Sequence, residues 1–275
     1  DYLFSRAEWL KPDDMATVSP ITYEASDGLL IDGYITRSKD SATPAPMVVI
    51  PHGGPAARDF WSFYEETQLL ANRGYTVLQV NFRGSDGYGL KHLNAGNRKW
   101  GSRIQEDIAD GTRWAIKEGI ADEKRICIYG GSFGAYSALM NVILFPDLYQ
   151  CAVGIAGLYD FETQRKLSDT ADYDMADEFF ERVMGDDKQM AIKFSPTYQT
   201  HRIKVPVFIA HGGKDERTPI QQARKLRKSL RENEISFEWM EKKNEGHGFF
   251  VEQNRVDFYT ALVDFIGRHT SAKER

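Results

Sequence analysis

Gly130-Gly131-Ser132-Phe133-Gly134 fits G-x-S-x-G, a pattern that places a serine on a tight strand-to-helix turn. The glycines serve a steric purpose, because side chains two positions either side of the serine would collide with neighbouring segments. The context agrees: an apolar run at 125–129 precedes the pattern, and an apolar helical stretch through Ala135, Leu139 and Val142 follows it. Ser132 is therefore the candidate nucleophile. A serine hydroxyl is weak at its free pKa and needs a base to take its proton. Of the six histidines, His92, His201 and His269 lie in polar loop or tail sequence. His52 follows a strand in His52-Gly53-Gly54-Pro55, a place suited to binding an oxyanion. His211 ends a strand and reads as a neighbour of the acid. His247, in Glu245-Gly246-His247-Gly248-Phe249, lies on a glycine-flanked loop after the last strand. That is where the chain order nucleophile, acid, base requires it.

The acid must follow a strand between Ser132 and His247. Asp215 does so, leaving the strand at 205–210 through Gly212-Gly213; Asp160 and Glu216 are its rivals. A carboxylate just ahead of Pro219 would also be favourable at a helix N-terminus without any catalytic role. As the acid, Asp215 would hold the imidazole tautomer and stabilise the imidazolium. The transition state needs oxyanion donors as well. The pattern supplies the Phe133 N–H, and the bare backbone at Gly54, or failing that Gly53, supplies the second.

The elements that must position these groups alternate along the chain. Residues 21–25 and 29–36 read as a hairpin about Asp27-Gly28. Strands are expected at 47–50, 75–81, 125–129, 151–155, 205–210 and 235–240. Helices are expected at 60–73, 103–118, 132–144, 219–232 and 253–269. Short apolar strands between amphipathic helices predict an α/β domain with a mostly parallel twisted sheet covered on both faces. The acidic, aromatic stretch 160–194 reads as a helical insertion over the ligand-binding edge of the sheet, a lid or pocket wall. Cys127 and Cys151 fall on strands that would be neighbours, and their apolar surroundings read as small buried hydrophobes rather than a bridge.

Composition excludes other classes. The 275 residues are 41% hydrophobic and 27% charged, which is ordinary for a globular chain. A net charge of −5 offers no electrostatic footprint for nucleic acid. No apolar run approaches the roughly 20 residues of a membrane span. Two cysteines support neither a disulfide framework nor a four-cysteine metal site, and the serine chemistry above calls for no cofactor. The chain opens Asp1-Tyr2-Leu3, with neither an initiator Met nor a signal peptide. Residues 1–20 read as a leader or linker and 21–275 as the domain, and no compartment can be read.

Taken in order, His52-Gly53-Gly54-Pro55, Asn81-Phe82-Arg83-Gly84-Ser85-Asp86-Gly87-Tyr88-Gly89, Trp100-Gly101 with Glu106-Asp107, Gly130–Ala135, Asp215 and Gly246-His247-Gly248-Phe249 resemble the catalytic domain of the prolyl oligopeptidase family of serine peptidases. The acylaminoacyl-peptidase-like branch is the nearest in pattern. The resemblance runs from about Thr22 to Ile266. It implies an α/β-hydrolase fold, a Ser132–Asp215–His247 triad, acyl-enzyme chemistry and no metal. Such enzymes carry a β-propeller ahead of the hydrolase domain, for which the residues before the hairpin are too few. The chain thus reads as a catalytic-domain fragment or a short relative, with a propeller in the full-length chain in the first case. A homo-oligomer is compatible with either.

The implied substrate is a short or N-acylated peptide, or an acyl ester if the domain acts as a carboxylesterase. A non-catalytic binding module of this fold would lack a triad residue type, and all three are present. Arg83 and Tyr88 sit on the expected active-site edge. They read either as substrate-binding groups or, for Arg83, as half of an ion pair that pins the glycine-rich loop.

Overall fold

The computed structural model describes residues 10–39 and 41–271. Strands β1 (Thr17–Glu24) and β2 (Leu30–Arg37) form the expected hairpin. Gly28 takes φ 85° in its turn, which only a glycine adopts without strain. β1 begins four residues ahead of the expected hairpin, so residues 17–20 of the expected leader belong to the sheet. The remaining strands are β3 (Ala45–Pro51), β4 (Thr76–Asn81), β5 (Ala121–Gly131), β6 (Cys151–Ile155), β7 (Val207–Gly212) and β8 (Phe237–Lys242). They lie in the order β1-β2-β4-β3-β5-β6-β7-β8. β1, β2 and β4 pair antiparallel at one edge, and every other pairing is parallel.

β3, β4 and β7 are buried along nearly their whole length because both faces are covered. Helices α3 (Arg103–Lys117), α4 (Phe133–Leu144) and α8 (Gln221–Glu232) bury Ile104, Ile108, Leu139, Leu226 and Leu230 on one face. Helices α1 (Glu65–Ala71) and α9 (Glu252–Thr270) bury Leu70, Phe258, Leu262 and Phe265 on the other. The stretch after β6 is helical as expected: α5 (Phe161–Leu167), a 3-10 turn (Asp169–Asp172), α6 (Ala176–Met184) and α7 (Lys188–Lys193). None of the helices is long and apolar enough to cross a membrane among the described residues.

Three local expectations are corrected. The helix expected from residue 60 starts only at Glu65, and Phe60, Trp61 and Phe63 are exposed. The amides of Asp59 and Phe60 are taken by Asn81 Oδ1 and the Tyr64 hydroxyl instead of a helical ladder. A short helix, α2 (Leu90–Ala95), follows the glycine-rich loop; it buries no residue and so shows no apolar stripe. Finally, Cys127 and Cys151 are disulfide-bonded rather than free. Apolar surroundings argued for inert thiols, but the β5–β6 register sets the two residues directly opposite, with Cα atoms 4.8 Å apart. That spacing lies within disulfide range.

Candidate active site

All the candidate groups sit at the C-terminal edge of the parallel strands. Ser132 lies between the end of β5 and the start of α4 with φ 56° and ψ −118°, a conformation an L-residue holds only under constraint. Its neighbours impose that constraint. The Ser132 amide donates to Ile155 O on β6 at 3.0 Å. A Cβ on Gly134 would run into the Pro51 carbonyl oxygen, and one on Gly130 would run into the Gly134 backbone. The glycines of the pattern let α4 start against the end of β3.

Asp215, in the turn after β7, is buried, and its carboxylate faces His247. His247 Nδ1 lies 2.9 Å from Asp215 Oδ2 and 3.1 Å from Oδ1. The Thr218 amide donates to Asp215 Oδ1 at 2.8 Å, and the Thr218 hydroxyl lies 3.0 Å from Oδ2. Burial pushes the Asp215 carboxyl up, but the His247 bond and charge and the Thr218 amide outweigh it and hold it below the usual carboxylate range. The His247 side chain is 33% exposed, and its bonds run through Nδ1, which leaves Nε2 without a partner among the described residues. The structure shows no hydrogen bond between Ser132 and His247.

The rival groups are engaged elsewhere. Asp160 caps α5 by accepting from the Thr163 amide, and Lys225 and Tyr198 hold its other oxygen. His211 is fully buried, 2.7 Å from Thr218 O and 3.4 Å from Asp215 Oδ2, and burial lowers its pKa. It therefore braces the turn that carries Asp215. His52 bonds Gly53 O and the Ser85 hydroxyl and stacks on Phe82; burial brings its pKa down to about 4. Thr218 escaped the sequence reading. Its signal is a Thr-Pro pair three residues after an Asp, the spacing at which a carboxylate takes a backbone amide.

Within the chain, no acceptor takes the amides of Phe133 or Gly54 among the described residues. Gly53 passes against the serine, and a Cβ on it would stand 3.6 Å from Ser132 Cβ. A cavity of about 120 Å³ opens beside Ser132, walled by Trp100, Phe133, Leu158 and, from α6, Phe179 and Phe180. The helical insertion is thus a pocket wall.

Arg83 belongs to the ion-pair alternative. Its guanidinium is held by Asp107 at 2.7 and 2.8 Å and by Asp27 at 2.8 and 2.9 Å, with only 8% of the side chain exposed. Tyr88 accepts from Asn81 Nδ2 and lines a separate groove with Ile21 and Tyr34. Neither reaches the cavity at Ser132.

Comparison with known proteins agrees with this geometry. The prolyl oligopeptidase family profile matches residues 61–273. The chain is 33% identical to dipeptidyl aminopeptidase BIII of Pseudoxanthomonas mexicana, over 97% of its own length and 40% of that protein's. It is 27% identical to the acylamino-acid-releasing enzyme of Arabidopsis thaliana, over 85% of its length and 31% of that enzyme's. The fold superimposes on a Mycobacterium tuberculosis puromycin-hydrolyzing peptidase with TM-score 0.90 at 23% identity, covering 98% of this chain and 42% of that one. On the Pyrococcus horikoshii acylaminoacyl peptidase the TM-score is 0.86 at 25% identity, covering 98% and 44%. The chain spans well under half the length of these relatives. With an α/β-hydrolase sheet and a match over most of its length, the chain belongs to the prolyl oligopeptidase family of serine peptidases.

Proposed function

We propose that this domain hydrolyses short or N-acylated peptides through an acyl-enzyme on Ser132. The supporting observation is the buried Asp215 carboxylate on His247 Nδ1, at the same strand edge as a serine held in a strained turn beside an aromatic cavity. Asp215 fixes the tautomer that carries its proton on Nδ1, so Nε2 is the basic nitrogen. Nε2 accepts the Ser132 proton as Oγ attacks the carbonyl, and the oxyanion forms against the unused amides of Phe133 and Gly54. The imidazolium then protonates the leaving amine, and water repeats the sequence to release the acid. Bound substrate draws Ser132 and His247 into hydrogen-bond contact, since such bonds tighten in the Michaelis complex.

The cavity suits one apolar side chain on the acyl side of the scissile bond. Two of the relatives are named for activities at peptide ends, dipeptidyl aminopeptidase and acylamino-acid release, in keeping with short substrates. The test is labelling by a fluorophosphonate probe followed by peptide mapping. The adduct is expected on Ser132 and absent from Ser132→Ala; labelling of Ser132→Ala at the wild-type rate would refute the assignment.

A further inference from the structure

A second cavity, of about 350 Å³, lies on the other side of the serine. It reaches the strand edge through Gly53, Gly131 and Gly248, the backbone beside the oxyanion loop, Ser132 and His247. The two cavities sit over opposite faces of the sheet. Trp100, Phe133 and Leu158 of the first belong to the core under α3 and α4, whereas Ile50, Tyr129 and Phe258 of the second belong to the core under α1 and α9.

The second cavity holds two carboxyl groups, Asp59 and Glu66, among the rings of Tyr64, Tyr129 and Tyr259. Glu66 accepts one bond, from the Tyr129 hydroxyl at 2.9 Å. Asp59 is 9% exposed, and its Oδ2 is buried with no hydrogen-bond partner. The Gln79 side chain approaches the carboxyl and offsets part of the cost of its burial, but Oδ2 stays unpartnered. Arg255 also lines the cavity but is exposed, and it is ion-paired with neither carboxyl. A buried carboxyl oxygen without a partner is costly, and here burial, with the Glu66 charge adding to it and Gln79 opposing, raises Asp59 to about 7. Aromatic faces and carboxylates together favour an organic cation. No group of three or more His, Cys, Asp or Glu suited to a metal ion occurs among the described residues.

We propose that this cavity is a subsite for a lysine or arginine side chain on the leaving-group side of the scissile bond, with Glu66 and Asp59 as its counter-charges. The assignment rests on the acyl-enzyme reading, because the aromatic cavity takes the acyl side and the His247 loop, which lines the second cavity, faces the departing amine. A basic residue there satisfies Asp59 Oδ2 and places its stem along the tyrosine rings.

The test uses N-acetyl-Phe-Xaa-amides with Xaa lysine, arginine, norleucine or glutamate, together with the p-nitrophenyl ester of N-acetyl-Phe, which has no residue on the leaving side. Wild-type kcat/KM for lysine or arginine should exceed that for norleucine by roughly 10–100-fold, the range of a hydrogen bond to a charged group. Within Glu66→Gln and within Asp59→Asn that ratio should fall to about threefold or less, a comparison that cancels any general loss of activity. Equal cleavage of lysine and norleucine peptides by the wild type overturns the proposal, as does an undiminished ratio in both variants. Absence of hydrolysis of every substrate would refute the acyl-enzyme reading alone. In that case calorimetry with argininamide decides: binding that is lost in Glu66→Gln supports the subsite, and no binding to the wild type overturns it.

Discussion

The backbone at Ser132 makes a prediction that separates conformational strain from chemistry. A non-glycine residue in such a sparsely populated region costs about 1–3 kcal/mol. Ser132→Ala keeps that cost, because its Cβ remains, and it loses no hydrogen bond because the Ser132 hydroxyl makes none among the described residues. Ser132→Gly removes the cost but adds freedom to the unfolded chain, worth about 0.4–1 kcal/mol. The glycine variant should therefore be more stable than the alanine variant by roughly 0.5–2 kcal/mol, although both lose turnover. Ser137, one helical turn further along α4 and fully buried, provides the control. There the backbone is helical, so the order reverses and alanine should win by about 1 kcal/mol. Urea unfolding at fixed pH reads the difference as a shift in midpoint with unchanged slope. Equal midpoints for Ser132→Gly and Ser132→Ala, with the Ser137 pair behaving as stated, would show that the turn is unstrained.

Three further outcomes follow from the geometry. Asp215→Asn should lower turnover by about 10⁴-fold by presenting the wrong imidazole tautomer, whereas Asp160→Asn, which disturbs the α5 cap and Lys225, should act on thermal stability; the reverse pattern in steady-state kinetics would move the acid to Asp160. Arg83→Met leaves Asp107 buried without its cation and should cost about 3–5 kcal/mol in urea unfolding, and a loss under 1 kcal/mol would refute a structural ion pair. The Arg83 bonds, acting against burial, also hold Asp27 down to about 2, below its unfolded value, so that contribution is complete above about pH 4 and fades as pH falls through about 2; Tm measured across pH 2–6 should show this loss in the wild type and not in Arg83→Met.

Much of the site was legible in the sequence because local sterics write it there. Glycines at 130 and 134 are required by a turn whose neighbours leave no room for a Cβ, so the candidate serine is marked by its surroundings. The order of Ser132, Asp215 and His247 along the chain reflects the order in which the strands deliver their loops to one edge. The strands themselves were readable since burial on both faces favours short apolar runs such as those at 47–50 and 207–210. Residue types alone could not decide between Asp215 and Asp160. Both are buried carboxylates after a strand, and only the position of His247 in space selects one. The same holds for Arg83, whose partners lie 56 and 24 residues away in sequence. Thr218 had only a weak local sign of its part in holding Asp215. Cys127 and Cys151 looked inert from their apolar neighbours, yet a parallel register brings them face to face. The paired carboxyls of Asp59 and Glu66 are anonymous in sequence and acquire meaning only where two layers of the fold enclose them. Covalent geometry and side-chain period act over a few residues and so survive in the sequence, whereas charge partners, strand register and cavities depend on which distant segments pack together, and only the tertiary structure determines that.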